Sequence, residues 1–398
     1  MKKHIQQLAA ISRKRERTII GLMSGTSLDG LDVAVCTISG SGTGIRVRVR
    51  GFDTIPYADQ FKTEVRKVFA KRDIDFQHLT LLNVYVAEQQ AAMVLAALKR
   101  MEIAPDEIDL IASHGQTVFH APRTFHELPE WPNATLQIGD GDHFARRTGI
   151  ITISDFRQKH LAAGGEGAPL ALYGDYFLFS KRGQDRFLLN LGGIANFTFL
   201  PADGDTAKSF ATDTGPGNTL LDAFARSEFG VAFDRDGLLA ANGHGEAQLL
   251  QYLLDDPFFA LPFPKTSGPE YFSEAWVQKA IERLPKARVN PYNLMATLAQ
   301  LTADTVADAI KTVALTGKKQ ELFVSGGGAH NPMIMKGLKE HLPNWNIYPM
   351  EVLGVHGDAK EAVLFAVLAN ETVAGRTADD AVLGGIPVVS MGKISFPG

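Results

Sequence analysis

Thr18-Ile19-Ile20-Gly21-Leu22-Met23-Ser24-Gly25-Thr26 runs an apolar strand into a Gly/Ser/Thr turn, and the alternating strand Leu31 to Thr37 leaves it. Far downstream, Phe187-Leu188-Leu189-Asn190-Leu191-Gly192-Gly193-Ile194-Ala195-Asn196-Phe197-Thr198-Phe199 repeats the outline of strand, glycine turn and strand. Two such hairpins, each opening one half of the chain, suggest two related lobes with a ligand between them. Each alone is weak, because glycine hairpins also serve as plain turns.

Working outward, further short apolar runs read as strands, among them Asp109-Leu110-Ile111 and Leu322-Phe323-Val324. Longer stretches carry the helical period. Leu82, Val86, Met93 and Ala97 share one face of a segment from about Leu79 to Met101. Leu294, Leu298, Leu301 and Thr305 do the same in a helix that Asn290 caps, with Pro291 in its first turn. Strands and helices mixed in this way indicate an α/β protein, and 398 residues suit two domains or a duplicated unit.

The bulk properties exclude several classes. Net charge is -4 and the pI is near 6.3, so no basic excess invites a nucleic-acid backbone or an anionic membrane. The hydrophobic fraction of 45% is ample for substantial cores. Basic residues cluster only at Lys2-Lys3 and from Arg13 to Arg17, and the segment between lacks the apolar core of a signal peptide. Residues 1–17 therefore read as a solvated N-terminal extension, and no apolar run approaches the length of a membrane span. Cys36 is the single cysteine, which rules out intrachain disulfides and Cys-cluster metal sites. The expectation is a cytoplasmic enzyme from a reducing compartment.

The run Gly25-Thr26-Ser27-Leu28-Asp29-Gly30-Leu31-Asp32 combines small residues, hydroxyls and two carboxylates. Small residues let backbone N–H groups approach phosphate oxygens, and Asp29 or Asp32 could hold Mg²⁺ directly or through water. Alternatively, both aspartates stabilise the turn through local hydrogen bonds. Neither a P-loop nor a Rossmann fingerprint is present. A third glycine site, Ser325-Gly326-Gly327-Gly328-Ala329-His330-Asn331, follows a buried strand and precedes the helical segment Pro332 to Leu342. It would place backbone amides and a helix N-terminus at a ligand. Consecutive glycines are costly to order, which makes mere chain reversal a poor explanation.

Taken in order, these motifs resemble the anhydro-N-acetylmuramic acid kinases. The resemblance opens with Gly21-Leu22-Met23-Ser24-Gly25-Thr26-Ser27-Leu28-Asp29-Gly30 and continues through Ser113-His114-Gly115-Gln116-Thr117 and Ser154-Asp155-Phe156-Arg157. Ala162 to Pro169, Asn190 to Asn196 and Asp213-Thr214-Gly215-Pro216-Gly217-Asn218 follow. Asp234-Arg235-Asp236-Gly237, Lys265-Thr266-Ser267-Gly268 and Ser325 to Gly328 complete it, so that only the N-terminal extension lies outside. The resemblance implies two ribonuclease-H-like lobes of the actin-like ATPase class with an interlobe cleft. The lobes are expected at residues 18–155 and 156–398, with the C-terminal helix packing back toward the first. Members use ATP and water to open the 1,6-anhydro bridge of anhydro-N-acetylmuramic acid, giving N-acetylmuramic acid 6-phosphate in cell-wall recycling.

The expected ATP contacts are Gly25, Thr26, Ser27, Leu28, Asp29, Gly30, Leu31 and Asp32, then Gly192, Gly193 and Asn196, then Gly326, Gly327 and Gly328. By resemblance, Asp213 is the general base, taking a proton from the water that attacks the anomeric carbon. From its neighbours alone it also reads as a helix cap on a rigid turn. Glu361 has a similar double reading: a capping-box glutamate after Asp358, or the family's contact to the sugar and its water. His114, Gln116, Asp155, Arg157, Gly215 and Asn218 are the remaining expected substrate contacts. Asp155 and Arg157 also suit a pair that braces the lobe or holds the Gly164 to Gly167 loop. Gln158 stands where family members often carry a basic residue, which bears on the exact sugar.

Two other functions fit the same frame. A levoglucosan kinase would share the architecture and the role of Asp213 on a simpler anhydrosugar. An actin-like filament protein or chaperone-type ATPase would need polymerising or peptide-binding surfaces, and neither a separate β-domain nor a helical lid is legible. A homodimer is compatible with the family, with no interface readable in the sequence.

Overall fold

The opening hairpin forms as β1 (Glu16–Ser24) and β2 (Gly30–Ser39), antiparallel, with Glu16 opposite Ser39 and Ser24 opposite Leu31. In the computed structural model, residues 2–168, 170–285, 288–314, 319–354, 357–375, 382–383 and 385–398 are described. The next strands are β3 (Arg46–Pro56), β4 (Leu110–Ser113), β5 (Gln116–Ala121), β6 (Ala134–Ile138) and β7 (Thr152–Ser154). Then come β8 (Gln184–Leu191), β9 (Ile194–Leu200), β10 (Phe210–Pro216), β11 (Lys319–Ser325) and β12 (Asn346–Pro349). The short strands β13 (Val382–Leu383), β14 (Ile386–Pro387) and β15 (Lys393–Ser395) lie near the C-terminus.

The chain divides into two compact units, Met1–Phe179 with Gly354–Gly398, and Ser180–Leu353. In the first, the sheet order is β15-β7-β4-β1-β2-β3, with β1, β2 and β3 antiparallel and β1, β4 and β7 parallel. In the second, the order is β10-β9-β8-β11-β12, again with an antiparallel meander of three strands and then two parallel ones. Each unit therefore has the ribonuclease-H-like arrangement, and the repeat visible in the two hairpins extends through five strands of each sheet. A right-handed crossover is the usual way to join the parallel neighbours.

Strand alternation explains how the first unit fills both faces of its sheet. Ile20 and Leu22 point toward the helix Phe76–Arg100, which contributes Leu82, Val86, Ala91 and Val94 to the same core. Gly21 points the other way, where a Cβ would stand 1.8 Å from the carbonyl oxygen of Ala362. Only glycine lets the helix Lys360–Ala374 lie this close to β1. In the second unit, Phe187, Leu189 and Leu191 of β8 pack with Leu294, Leu298 and Leu301 of the helix Pro291–Val313. Each such side chain contributes about 1.5–3 kcal/mol when fully buried. Asn290 caps that helix by accepting from the Tyr292 amide at 2.9 Å, with Pro291 at its first position, as its sequence predicts.

Several expectations need correction. The first division comes after Phe179, not after Asp155, while Gly354–Gly398 joins the first unit in keeping with the C-terminal helix packing back toward it. Leu364 is the reason on one side, since a Cβ on Gly174 would meet its Cδ1 at 2.4 Å. On the other side, β15 pairs with β7, joining Lys393 to Ser154. Long-range pairing of this kind leaves no local sequence mark. The N-terminal extension is not simply solvated: Lys2–Arg13 is a helix with Ile11 buried. Arg17 is buried too, and donates to Asn370 Oδ1 at 2.7 Å and the Lys14 carbonyl at 2.6 Å. Finally, the helix Phe76–Arg100 is long and apolar enough, by length and composition, to cross a membrane. Here its Leu82, Val86 and Val94 face the first unit's core.

Candidate functional site

In the first unit, a buried polar network fixes the turn after β1. Ser24 Oγ donates to Gln116 Oε1 at 2.5 Å, and the Tyr57 hydroxyl lies 2.7 Å from Ser24 Oγ. Gln90 Nε2 donates to the Tyr57 oxygen at 2.9 Å, and Gln116 Nε2 to the Gly25 carbonyl at 3.3 Å. Burial pushes the Tyr57 phenol up to about 12, so it stays protonated and available as a donor. Gln116 is fully buried, which makes it a brace of the glycine turn. The turn itself leaves Thr26, Ser27 and Asp29 exposed and Gly25 half-buried. Leu28 and Leu31 bury their side chains in the core, so only their backbone could meet a nucleotide. Leu28 holds φ 60°, an unusual value for a leucine that its core packing enforces. Gly30 answers a packing need, because its Cβ would lie 2.4 Å from the Ile55 carbonyl of β3.

Four charged or imidazole groups gather nearby. Asp32, on β2, accepts from Thr54 Oγ1 at 2.6 Å. Glu361 sits in the first turn of the helix Lys360–Ala374, with its carboxyl held above the usual carboxylate range. Lost solvation is the main cause and Asp32 adds to it, while Arg157 and Lys360 oppose. Arg157 donates through Nη1 to the Gly167 carbonyl at 2.6 Å, which holds the glycine loop as anticipated. Its Nε and Nη2 both donate to Nε2 of His114 at 3.0 Å. His114 is buried, tilted against Phe365 with ring centroids 4.8 Å apart, and burial beside Arg157 drives its pKa down to about 3. It is a neutral acceptor, not an exposed loop contact.

Other residues of this unit fall elsewhere. Asp155 forms an ion pair with Lys393 of β15 and does not brace Arg157. Gln158 Nε2 donates to the Thr135 carbonyl at 2.9 Å. The cap of the helix Lys360–Ala374 is Ala359, after a 3-10 turn; the capping box expected from Asp358 to Glu361 rests on the Asp358 side chain, which lies outside the described residues, as does Pro169.

In the second unit, the glycine turn between β8 and β9 meets the start of the helix Asn218–Phe229. The Gly192 carbonyl accepts from Asn218 N at 2.8 Å, and that of Gly193 accepts from Gly217 N at 2.8 Å and Thr219 N at 3.0 Å. These carbonyls satisfy amides that a helix N-terminus otherwise leaves open. Asn196, opposite Asn190 across the hairpin, donates to the Ile194 carbonyl at 3.4 Å. Next to it, Gly326 follows β11 with φ 85°, and a Cβ there would be 2.7 Å from both Asn190 Oδ1 and the Leu191 carbonyl oxygen. A 3-10 turn, Gly327–His330, separates it from the helix Pro332–His341, whose N-terminus Asn331 caps through Met333 N at 3.0 Å. The helix begins at Pro332, as the sequence predicts, with the short turn between it and Gly326.

Gly327, of the glycine site after β11, borders a cavity of about 360 Å³, lined among others by Asn218, Asp222, Asp234, Arg235 and His330. It lies beyond the carboxyl ends of the parallel strands β8 and β11, where open α/β sheets take ligands. Asn218 anchors it by donating to the Leu191 carbonyl at 3.0 Å. Burial raises the Asp222 carboxyl, Arg226 opposes, and Asp234 adds to the rise. Asp234 also accepts from Leu239 N at 2.7 Å, fixing the cavity wall.

Asp213 lies on β10, not on a turn, and Gly217 occupies the cap position of the helix Asn218–Phe229, so its helix-cap reading is overturned. A register shift between Asp213 and Gly215 breaks the pairing with β9 at this point. Ser267 clamps the carboxylate, its amide 2.6 Å and its hydroxyl 3.3 Å from Oδ2. Burial raises the Asp213 carboxyl and the two Ser267 hydrogen bonds oppose that rise. Gly215, expected at the sugar, is buried instead: its Cβ would approach Phe259 Cε1 to 2.9 Å.

A half-buried carboxylate of raised basicity, aimed by two donors, suits proton abstraction. Comparison with known proteins identifies the setting. The family model for anhydro-N-acetylmuramic acid kinase matches residues 17–396. The chain belongs to that family. The anhydro-N-acetylmuramic acid kinase of Pseudoalteromonas atlantica (strain T6c / ATCC BAA-1087) is 48% identical over 100% of both chains. That of Caldanaerobacter subterraneus subsp. tengcongensis is 36% identical, over 98% of this chain and 100% of its own. The ROK hexokinase structure from Thermus thermophilus superposes with a TM-score of 0.37 and 12% identity, covering 88% of this chain and 97% of that one. As a member of the anhydro-N-acetylmuramic acid kinase family, the chain is a phosphotransferase of cell-wall recycling.

Within that family frame, sequence reasoning missed Asp222 on the cavity, and it quoted Arg235, His330 and Lys265 in motifs without giving them a role. Asn218, Leu221 and Asp222 stand at i, i+3 and i+4 of one helix, a spacing that could have drawn Asp222 in with Asn218.

Proposed function

We propose that the chain phosphorylates 1,6-anhydro-N-acetylmuramic acid at the 6-oxygen while water opens the anhydro bridge. The water oxygen bonds to C1, the C1–O6 bond breaks, and O6 takes the γ-phosphoryl group of ATP. The products are N-acetylmuramic acid 6-phosphate and ADP. Asp213 receives the proton released by the water. The observation that carries this reading is the Ser267 clamp: it occupies Oδ2 and leaves proton acceptance to Oδ1.

In the second unit, the cavity beside Gly327 suits a nucleoside, with Asp222 placed for ribose hydroxyls and Gly192, Gly193 and Gly326 near the phosphates. In the first unit, Glu361 and Arg157 suit sugar hydroxyls and placement of the water. Asp32 and Asp29 offer hard oxygen donors of the kind Mg²⁺ takes along with phosphate and water. Mg²⁺ there would neutralise phosphate charge. A cytoplasmic location follows from the need for ATP.

Steady-state assays test the reading. Turnover with anhydro-N-acetylmuramic acid should far exceed that with levoglucosan, and ATP hydrolysis without sugar should be slow. Preferential turnover of levoglucosan, or rapid sugar-free hydrolysis coupled to assembly, would replace it with one of the rival functions.

A further inference from the structure

Behind Asp213 stands a buried cation that the reaction above does not use. Lys265 is buried at 8% exposure, and its ammonium donates to the Phe258 and Phe259 carbonyls at 2.9 and 3.1 Å. The same Nζ lies 4.5 Å from the Phe258 ring centroid and 4.9 Å from that of Phe263. Carbonyl oxygens at the end of the short helix Pro257–Ala260 and two aromatic faces thus hold the charge in place of water. Burying an amine in this way is worthwhile only where it fixes something.

What it fixes is the strip that carries Ser267. The Lys265 carbonyl accepts from Asp213 N at 2.9 Å, and its amide donates to Thr212 Oγ1 at 2.9 Å. Two residues on, Ser267 reaches back to Asp213 Oδ2 through its amide and hydroxyl. The Asp213 backbone and carboxylate are therefore both held by one three-residue segment, at the place where β10 loses register with β9. A bulge frees a strand locally, so a second element must set where its side chain points.

We infer that Lys265 and Ser267 are positioning residues for the reaction: Lys265 anchors the segment, and Ser267 orients the Asp213 carboxylate and tunes its basicity. This rests on Asp213 being the base. Both Ser267 donors go to Oδ2, which favours the charged carboxylate against its burial. Losing the hydroxyl, one of the two donors, makes Asp213 hold its proton to higher pH.

The test compares pH profiles of kcat/KM, and kcat and sugar KM at the optimum, for wild type, Ser267→Ala, Lys265→Met, Lys265→Arg and Asp213→Asn. In Ser267→Ala the acid limb should move to higher pH, with sugar KM little changed. In Lys265→Met, kcat should fall at least ~10-fold through misplacement of the base, and Lys265→Arg should recover part of it. Ser267→Ala keeps the amide, so an acid limb that coincides with wild type overturns the tuning role of the hydroxyl. Wild-type kcat in Lys265→Met overturns the anchoring role, and Ser267→Ala still decides the tuning if Lys265→Met does not fold. Substantial activity in Asp213→Asn instead removes the base assignment, a separate failure.

Discussion

Arg157 donates two N–H groups, Nε and Nη2, into the single Nε2 lone pair of His114, each at 3.0 Å. Arginine has no acceptor, so the imidazole must be neutral, with its proton on Nδ1. The stability of the fold should depend on that. An exposed histidine titrates near 6.5, whereas His114 in the fold titrates near 3. Between those values the unfolded chain binds a proton that the folded one excludes, so stability is lost as pH falls through this window. The slope approaches about 1.4 kcal/mol per pH unit. Thermal unfolding from pH 7 to pH 4 should show the slope in wild type and a shallower one in His114→Gln. Parallel curves would show that His114 is protonated in the fold.

Asp213 has the opposite sign. Its carboxyl is raised, so between the ordinary value and the raised one the folded chain holds the extra proton. Stability from this group is present at low pH and lost as pH rises, and the charge at neutral pH weakens the fold. Asp213→Asn should therefore lose turnover by roughly 10²–10⁴-fold, yet unfold at the same or a higher temperature near pH 7. A marked drop in unfolding temperature would mean that the carboxylate holds the strand together.

Glu361 should act on the sugar side alone. Glu361→Gln keeps the shape but removes the charge facing Arg157. Turnover should fall on the order of 10²-fold, while the affinity for ATP, measured calorimetrically, stays near wild type. Equal loss of ATP affinity would place Glu361 at the nucleotide.

Gly326 tests the nucleotide side. Alanine there needs φ 85° and sets a methyl 2.7 Å from Asn190 Oδ1 and the Leu191 carbonyl. Gly326→Ala should cost roughly 1–3 kcal/mol of stability and weaken ATP binding at the adjoining cavity. Unchanged ATP affinity in a folded variant would move the nucleotide away from Gly326.

The two hairpins could be read because period-two alternation and a glycine turn are local signals, and they anticipated two sheets of one topology. The helix Pro291–Val313 was equally plain, from its apolar face and the Asn290 cap. Less could be read where distant segments decide the outcome. His114 lies between two strands, ordinarily an exposed place, but Phe365 and Arg157 come from elsewhere to bury it. The strand carrying Asp213 was hidden by Gly215-Pro216-Gly217, which reads as a turn, and its clamp arrives from more than fifty residues downstream. Gly30 and Gly215 resembled ligand contacts because nothing local distinguishes a glycine that meets phosphate from one that meets Ile55 or Phe259.

Product analysis in ¹⁸O-labelled water is the most direct trial of Asp213 as the base that opens the anhydro bridge. Wild type, supplied with ATP and anhydro-N-acetylmuramic acid, should form a sugar 6-phosphate whose new anomeric oxygen carries the label, and Asp213→Asn should form almost none. Labelled product at the wild-type rate from Asp213→Asn, or wild-type product phosphorylated without label at the anomeric carbon, would contradict it.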